Sequence, residues 1–489
     1  MATRSTNYAL TFAVLGTAAL AFALLQSLII PAIPELEQTL HTSESGASWL
    51  LTAYLLSAAI ATPILGRVGD MLGKEKIIVA VLIALTVGSL LSALATSLPV
   101  MLVGRVIQGT GGAVFPLAFG IIRDEFPAER VAGAIGVMSA ILGAGAGAGI
   151  VLAGPILVHL NYHWLFWIPM IMSAIATVAT YLFVAESPVR APGRINWLGA
   201  TLMSAWLVTG LLAISYAPIW GWADSTVIAL LGATAVLIVL WVVSENRSDS
   251  PLVDMKMMRI PAVASTNLAA LLFGFGMFAM FVTLPQFTET PSHAGYGFGA
   301  SVTQSGLYLA PFAAAMVIFA PMTGRLSKAF GSKMVLVVGS LITGSSYLLL
   351  IVNHNDQWAI YVATGLLGIG IAMGFASMAN LIIEAVPAQQ TGVATGMNTN
   401  IRNIGAALGS GIATSLVVSG LVPGGFPKER GYVLAFAVSG LALVVAALAA
   451  LTIPKRAGPS IVEREPHPAL TAEAEVVVGA IAFGPEDLA

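Results

Sequence analysis

Apolar residues run through this chain in long unbroken stretches, not in the alternating or one-faced patterns of a water-soluble fold. A helix needs about 20 apolar residues to cross the hydrocarbon core of a bilayer. Runs of that kind cover residues 9–31, 47–66, 77–97, 99–121, 131–157 and 164–184. Two more follow a polar stretch, at 197–216 and 225–243, and six complete the series at 262–285, 303–324, 334–352, 358–383, 390–419 and 431–453. They are far longer than the alternating segments of about 10 residues that build membrane β-barrels. The pattern therefore predicts an all-α integral membrane protein with fourteen transmembrane helices. The first run is too long, and followed by too many others, to be a cleavable signal peptide.

The polar islands between the runs set the orientation. With the N-terminus inside, 17 of the 21 Lys and Arg residues fall on one side, only Lys428 and Arg430 fall on the other, and Arg105 and Arg402 lie within spans. Basic loops stay in the cytoplasm, so both termini are expected there. The segment 454–489 is polar and mildly acidic and reads as a disordered cytoplasmic tail.

The two halves echo each other. Gly66-Arg67 and Gly73 return as Gly324-Arg325 and Gly331 at an offset of 258 residues. Gly109 and Gly111 return as Gly368 and Gly370 at 259, and Pro127-Ala128, Gly136, Gly145 and Gly149 as Pro387-Ala388, Gly396, Gly405 and Gly409 at 260. Both copies keep one membrane orientation, which makes this a parallel repeat about an axis along the membrane normal. The offset leaves room for two further spans between the halves. The expected domains are a six-helix bundle over 1–186, a two-helix insert over 187–258, a second bundle over 259–453 and the tail. A pair of such bundles implies a substrate path between them, opened to each side in turn.

Composition narrows the classes further. Only 9% of the 489 residues are charged and 57% are hydrophobic, which excludes both an ordinary soluble protein and intrinsic disorder. A net charge of −2 gives no sign of a nucleic-acid partner, and zero cysteines exclude disulfides, thiolate metal sites and cysteine nucleophiles. No G-x-x-x-x-G-K-[ST] segment is present, which disfavours ATP-driven transport. An integral-membrane enzyme would need clustered His, Asp or Glu, whereas the six histidines are scattered over outer loops and the tail. No signalling domain is appended to suggest a receptor. No cofactor is expected.

Several motifs carry candidate chemistry. After the second run comes Gly66-Arg67-Val68-Gly69-Asp70-Met71-Leu72-Gly73-Lys74, read as a tight glycine turn in a loop whose Asp70 can face a helix N-terminus. Arg105-Val106-Ile107-Gln108-Gly109 places a guanidinium inside the membrane, a position that is by default a functional candidate. The fifth span carries Gly143, Gly145, Gly147, Gly149 and Gly154-Pro155, small residues that let helices pack backbone to backbone. Span thirteen crowds Asn398, Asn400, Arg402 and Asn403 at its middle, with Asn398, Arg402, Gly405 and Gly409 at one-face helical spacing. Their first-half counterparts, Met138 and Leu142, are apolar.

These residues resemble the major facilitator superfamily, specifically its fourteen-span drug:proton antiporter group. The segment from Gly66 is similar to the signature G-x-L-a-D-r-x-G-r-k, with Met71 at a usually basic position, and that from Arg105 to R-x-x-q-G-x-g. The span-five glycines partly match g-x-x-x-G-P-x-x-G-G, with Ile150 at the proline position. The resemblance implies a conformational gate at Gly66, Arg67, Asp70, Gly73, Lys74, Gly324, Arg325 and Gly331, latching the cytoplasmic side while the transporter faces outward. It implies an antiporter-like packing helix in span five and, with Arg105 and Gln108 joined to the polar residues Gln26, Asn398 and Arg402 read within spans one and thirteen, a coupling or substrate cavity is expected at these five positions. One departure stands out. The group's D-x-T-x-V-N-V-A-L-P stretch carries an acid where Leu25 stands here, and Glu35 and Glu289 lie only at outer span ends. Glu35 paired with Arg105 is one candidate for the missing proton carrier.

The expected function is secondary active export of small amphiphilic or hydrophobic compounds from a bacterial cell, through the plasma membrane, by a monomer. Its partners would be the lipid bilayer, the substrate and protons, in an antiport. An uncoupled or lipid-flipping carrier is the alternative. Arg105, Arg402 and Gln26 make the expected cavity neutral to positive, favouring neutral or anionic substrates.

Overall fold

The computed structural model describes residues 7–187, 194–418 and 426–454. The tail beyond Pro454, whose disorder the sequence suggests, lies outside the described residues, as do Arg4, Arg190, Lys455, Arg456 and Arg464. Among the described residues there is no strand, and fourteen helices are long and apolar enough to cross a membrane. They are α1 (Tyr8–Ser27), α2 (Trp49–Leu72), α3 (Lys74–Leu94), α4 (Leu98–Glu125), α5 (Glu129–His159), α6 (Trp164–Phe183) and α7 (Trp197–Trp220). The series continues with α8 (Ser225–Arg247), α9 (Pro261–Glu289), α10 (Thr303–Phe330), α11 (Ser332–Val352), α12 (Gln357–Ala385), α13 (Ala388–Val418) and α14 (Glu429–Leu451). The protein is a multi-pass membrane protein.

Local chemistry sets the helix ends. Asn7, Asn196 and Asp224 turn a side-chain oxygen onto a free N–H of the first turn of α1, α7 and α8. Pro31 and Pro34 cannot extend α1, which ends at Ser27 and hands over to a 3₁₀ turn and the short helix Ile33–Thr39. Elsewhere the helices outrun their apolar stretches. Gly66 to Asp70 lie in the last turns of α2, and Gly324 to Phe330 in those of α10, so the expected glycine-rich loops are helix. The turn itself is one residue in each half. Gly73 (φ 117°) and Gly331 (φ 80°) end these helices in a backbone region costly for any residue with a Cβ, which is why both halves keep them.

The repeat is visible in the packing. Helix α1 packs on α5 and α6, α2 on α4, and α3 on α4 and α6. The same pairs recur eight numbers later as α9 with α13 and α14, α10 with α12, and α11 with α12 and α14. Each bundle has its own apolar core, around Leu15, Phe22, Leu82 and Phe115 in the first and Phe273, Phe287, Phe312 and Tyr347 in the second. Helices α7 and α8 pair through Trp206 and Trp241 (ring centroids 5.8 Å apart), and α7 lies against both α2 and α13. The outer sides of α3, α6 and α8 leave Ile83, Ile175, Val178 and Val239 exposed, a belt at home in hydrocarbon and not in water.

Glycines fix the tightest crossings inside a bundle. A Cβ on Gly405 or Gly409 of α13 would overlap the carbonyl of Leu271 or Phe275 on α9, while Gly232 on α8 has nothing nearby. Gly405→Val is expected to destabilise the protein by about 2–3 kcal/mol. Gly232→Ala should leave stability unchanged or raise it slightly. Thermal unfolding in detergent, followed by tryptophan fluorescence, checks both.

Candidate functional site

Between the bundles lies a cavity of about 450 Å³ on the side away from most Lys and Arg. Its walls come from both bundles: Gln26 and Ile30 of α1, Leu51, Thr52 and Leu55 of α2, and Ala146, Ile150 and Gly154 of α5 on one side. Phe278, Phe281 and Gln286 of α9, Thr303 and Gly306 of α10, and Asn403, Ala406 and Ser410 of α13 face them. The inserted α7 adds Leu211 and Ser215, filling the wall between α2 and α13. The surface is mostly apolar, with a few separated amides and hydroxyls and the Glu289 carboxyl, the character of a small-molecule site.

The floor is aromatic and leads to a cation. Gln26, Phe278 and Asn403 line both the cavity and a small pocket of about 30 Å³ beneath it, which adds Tyr54, Phe115, Phe375 and Arg402. The Arg402 guanidinium stands 4.5 Å from the Phe375 ring centroid, a cation–π contact, and no ion pair among the described residues joins it to an acid. Asn398, on the same wall of a neighbouring pocket, donates to Asn267 Oδ1 of α9 at 2.9 Å.

Arg105 and Gln108 lie elsewhere, and the expected cavity set divides. Leu51 and Leu55 of α2 face the cavity, whereas Leu50 and Tyr54, one position earlier in each case, face Arg105. Its Nε donates to the Leu50 carbonyl at 3.0 Å and Nη1 to Gln108 Oε1 at 2.8 Å, with the Tyr54 ring centroid 4.3 Å from the guanidinium carbon. Gln108 in turn donates to Ser89 of α3 at 3.2 Å. This buried network ties α4 to α2 and α3 inside the first bundle. The suggested Glu35–Arg105 pair does not form: Arg105 is fully buried and bonded to neutral groups, while Glu35 is exposed on the short helix after α1.

The basic side is sealed where the bundles touch. A Cβ on Gly66 of α2 would come within 2.8 Å of the Gly392 carbonyl oxygen on α13, and one on Gly324 of α10 within 2.6 Å of Gly133 Cα on α5. These two crossings are related by the repeat. Among the described residues, the first is the one reinforced by charge. Asp70 accepts the N–H groups of Gly392 (3.3 Å) and Val393 (3.2 Å) where the α-helical part of α13 begins at Thr391, after a 3₁₀ turn, and where free donors and the helix dipole favour an anion. Lys74 lies 3.5 Å from Asp70 and 2.7 Å from Asp124, all three buried. Arg67 sits half-buried close enough to act electrostatically on Asp70, Gly73 ends the helix, and Arg325 is exposed.

The span-five glycines serve two faces. Gly143, Gly147 and Gly154 turn toward Met316, Phe312 and Thr303 of α10 in the other bundle, while Gly145 and Gly149 press on Ala23 and Ser27 of α1 in their own. Pro155 sits inside the same helix.

Three further residues at the bundle interface escape a sequence reading. Arg123 of α4 reaches across to the Val386 carbonyl (2.8 Å), the Pro387 carbonyl (3.3 Å) and the Thr391 hydroxyl (2.5 Å); in sequence it is one more basic residue at a helix end. Asn400, apparently one of a polar cluster on α13, points away from Arg402 and donates to the Ala59 carbonyl of α2 at 2.6 Å. Glu289 remains on α9 because the helix continues through Pro285, and its side chain lines the cavity. A charge-assisted hydrogen bond contributes about 1.5–3 kcal/mol, so Asp70→Asn or Arg123→Ala should weaken the seal. The cysteine-free sequence allows a direct check. Thr395→Cys, buried behind the seal, should react with a membrane-impermeant maleimide applied to the basic side on the order of tenfold faster in either variant background.

The chain matches the Major Facilitator Superfamily profile over residues 15–297 and again over 266–483. It is 29% identical over 408 residues to the tetracenomycin C resistance and export protein of Streptomyces glaucescens, covering 81% of this chain and 73% of that one. It is 27% identical over 393 residues to the multidrug resistance protein Stp of Mycobacterium tuberculosis, covering 80% and 72%. Among solved structures, the human organic anion transporter MFSD10 superposes with a TM-score of 0.66 at 15% identity, over 91% of this chain and 100% of the other, a likeness of fold. With its repeated bundles, glycine crossings and central cavity, the chain belongs to the Major Facilitator Superfamily, a family of transporters and not of enzymes.

Proposed function

We propose that the protein exports small amphiphilic compounds, neutral or anionic, across a bacterial plasma membrane by alternating access and in exchange for protons. In this reading the basic face and both termini lie in the cytoplasm, and the geometry described is the outward-facing state. The observation that carries it is the cavity between two repeat-related bundles, sealed at the basic side and lined up to the opposite rim. The export names of the bacterial relatives and the side on which Lys and Arg collect support the direction.

Arg402 supports the substrate class. An arginine without an acid partner inside the membrane carries a desolvation cost of several kcal/mol. A carboxylate, enolate or carbonyl oxygen reaching down past Gln26 and Asn403 would offset part of it. Phe278, Phe281 and Phe375 would pack the apolar body. The uncoupled carrier is kept as the second reading by one observation: no carboxylate lines the floor pockets.

Flux in proteoliposomes under an imposed pH gradient tests the proposal. Export of an anionic aromatic amphiphile is expected to accelerate when the trans side is acidic. Arg402→Gln should slow it about tenfold while slowing a neutral analogue less, since the lost contact is charge-assisted. Flux indifferent to the gradient would eliminate antiport in favour of the uncoupled carrier. Equal loss for both analogues would remove the anion-recognising role of Arg402.

A further inference from the structure

Among the described residues, Glu289 is the one acid on the cavity wall, and no cation lines that wall beside it. No Lys, Arg or His lines the cavity. The half-buried carboxyl lies beside the Ser305 hydroxyl of α10, which accepts from Thr288 Oγ1 of α9 at 3.2 Å. This relay joins the outer ends of α9 and α10. Across from it stand Leu51 and Thr52 of α2 and Ile150, Val151 and Gly154 of α5, apolar or neutral throughout.

The titratable groups on the elements around α9 and α10 face other partners, and His159, at the outer end of α5, is exposed and does not line the cavity. His354 after α11 bonds Glu429 of α14 at 2.6 Å. Tyr296, in the loop after α9, bonds the Pro427 carbonyl, and the Tyr432 ring of α14 packs tilted against that tyrosine. Tyr308 of α10 packs on Tyr361 of α12, and His293 on Phe426.

We propose that Glu289 is the proton-binding residue of the outer mouth: ionised, it holds the mouth open, and protonated, it lets α9 and α10 close against α2 and α5. Closure would press the carboxyl onto apolar side chains with no cation to meet it. Burying the ion is far more costly than burying the neutral acid, so the closed form takes up the proton more readily and acid outside favours closure. The proton comes from the outer medium, forms the O–H of the carboxyl, and returns to the same medium on reopening. Glu289 therefore sets the rate and extent of closure without carrying the proton across. The inference rests on the alternating-access reading above, though not on antiport.

Spin labels on Gln38→Cys and Ser292→Cys, both exposed at the outer ends of opposite bundles, report the mouth as a distance distribution in nanodiscs. Between pH 8 and pH 5 the ratio of long to short distances should fall on the order of tenfold or more. Glu289→Gln should give the short distance at both pH values, while Glu289→Asp should keep a pH response with a shifted midpoint. Ser305→Ala, which leaves the carboxyl but removes the hydroxyl beside it, should move the midpoint as well. An unchanged pH response in Glu289→Gln, or no pH response in the wild type, would overturn the proposal. pH-dependent closure in a protein whose flux ignores the pH gradient would sink antiport and leave Glu289 in place.

Discussion

Two points of backbone contact govern the arrangement of this protein. At Gly66 against Gly392, and at Gly324 against Gly133, helices of opposite bundles meet with no side chain between them. Helices that cross closely at one end and run at an angle separate toward the other. The same contacts that seal the basic side thus create the space on the far side, and seal and cavity are one geometric fact. Hydrocarbon offers no hydrophobic drive for helices to associate, so close van der Waals approach at small residues is what holds such bundles together. A methyl group on Gly66, Gly392 or Gly324 would push the bundles apart, whereas one on Gly133 would point into open space.

The repeat supplies symmetric crossings, and charge then makes them unequal. Asp70 clasps the start of the α-helical part of α13, but its repeat counterpart is Lys328, which is exposed. Arg123 reaches the end of α12 with no equivalent across the axis, where isoleucines stand in its place. The seam between α2 and α13 is therefore held by ions, hydrogen bonds and the inserted α7. The seam between α5 and α10 is held, among the described residues, by α5 glycines packed on Met316, Phe312 and the backbone of α10, with no ion pair between the two helices. On the alternating-access reading proposed above, the first seam would be released by rearranging a few polar contacts and the second would serve as the line about which the bundles turn.

Much of the plan is legible in the sequence because it follows from one-dimensional constraints. Fourteen apolar runs, the alternation of Lys and Arg, and the glycine offset each depend on the bilayer or on the repeat, not on which side chain meets which. Helix bounds were less legible. The amphipathic last turns of α2 and α10 continue past the apolar stretch because helix length depends on backbone bonding and stops only where Gly73 and Gly331 take positive φ. The polar residues within spans were visible as types, but their roles were not. Arg105 and Arg402 look alike in sequence, yet one is built into a bundle and the other lies under the cavity floor.

What the sequence by itself determined is the membrane class, the number of helices and the repeat, since all follow from hydropathy, charge distribution and spacing along the chain; the family was legible only through the resemblance of its motifs. Only the tertiary structure decided which polar groups face one another. On α2, Leu51 lines the cavity and Leu50 faces Arg105; on α13, Arg402 underlies the floor and Asn400 bonds α2. One residue turns a side chain by about 100° around a helix, and what it meets there belongs to another helix. That helix may lie hundreds of positions away in the chain, as Val393 does from Asp70. Assigning roles to Glu289, Arg123 and Asn400 therefore required the packing of the bundles.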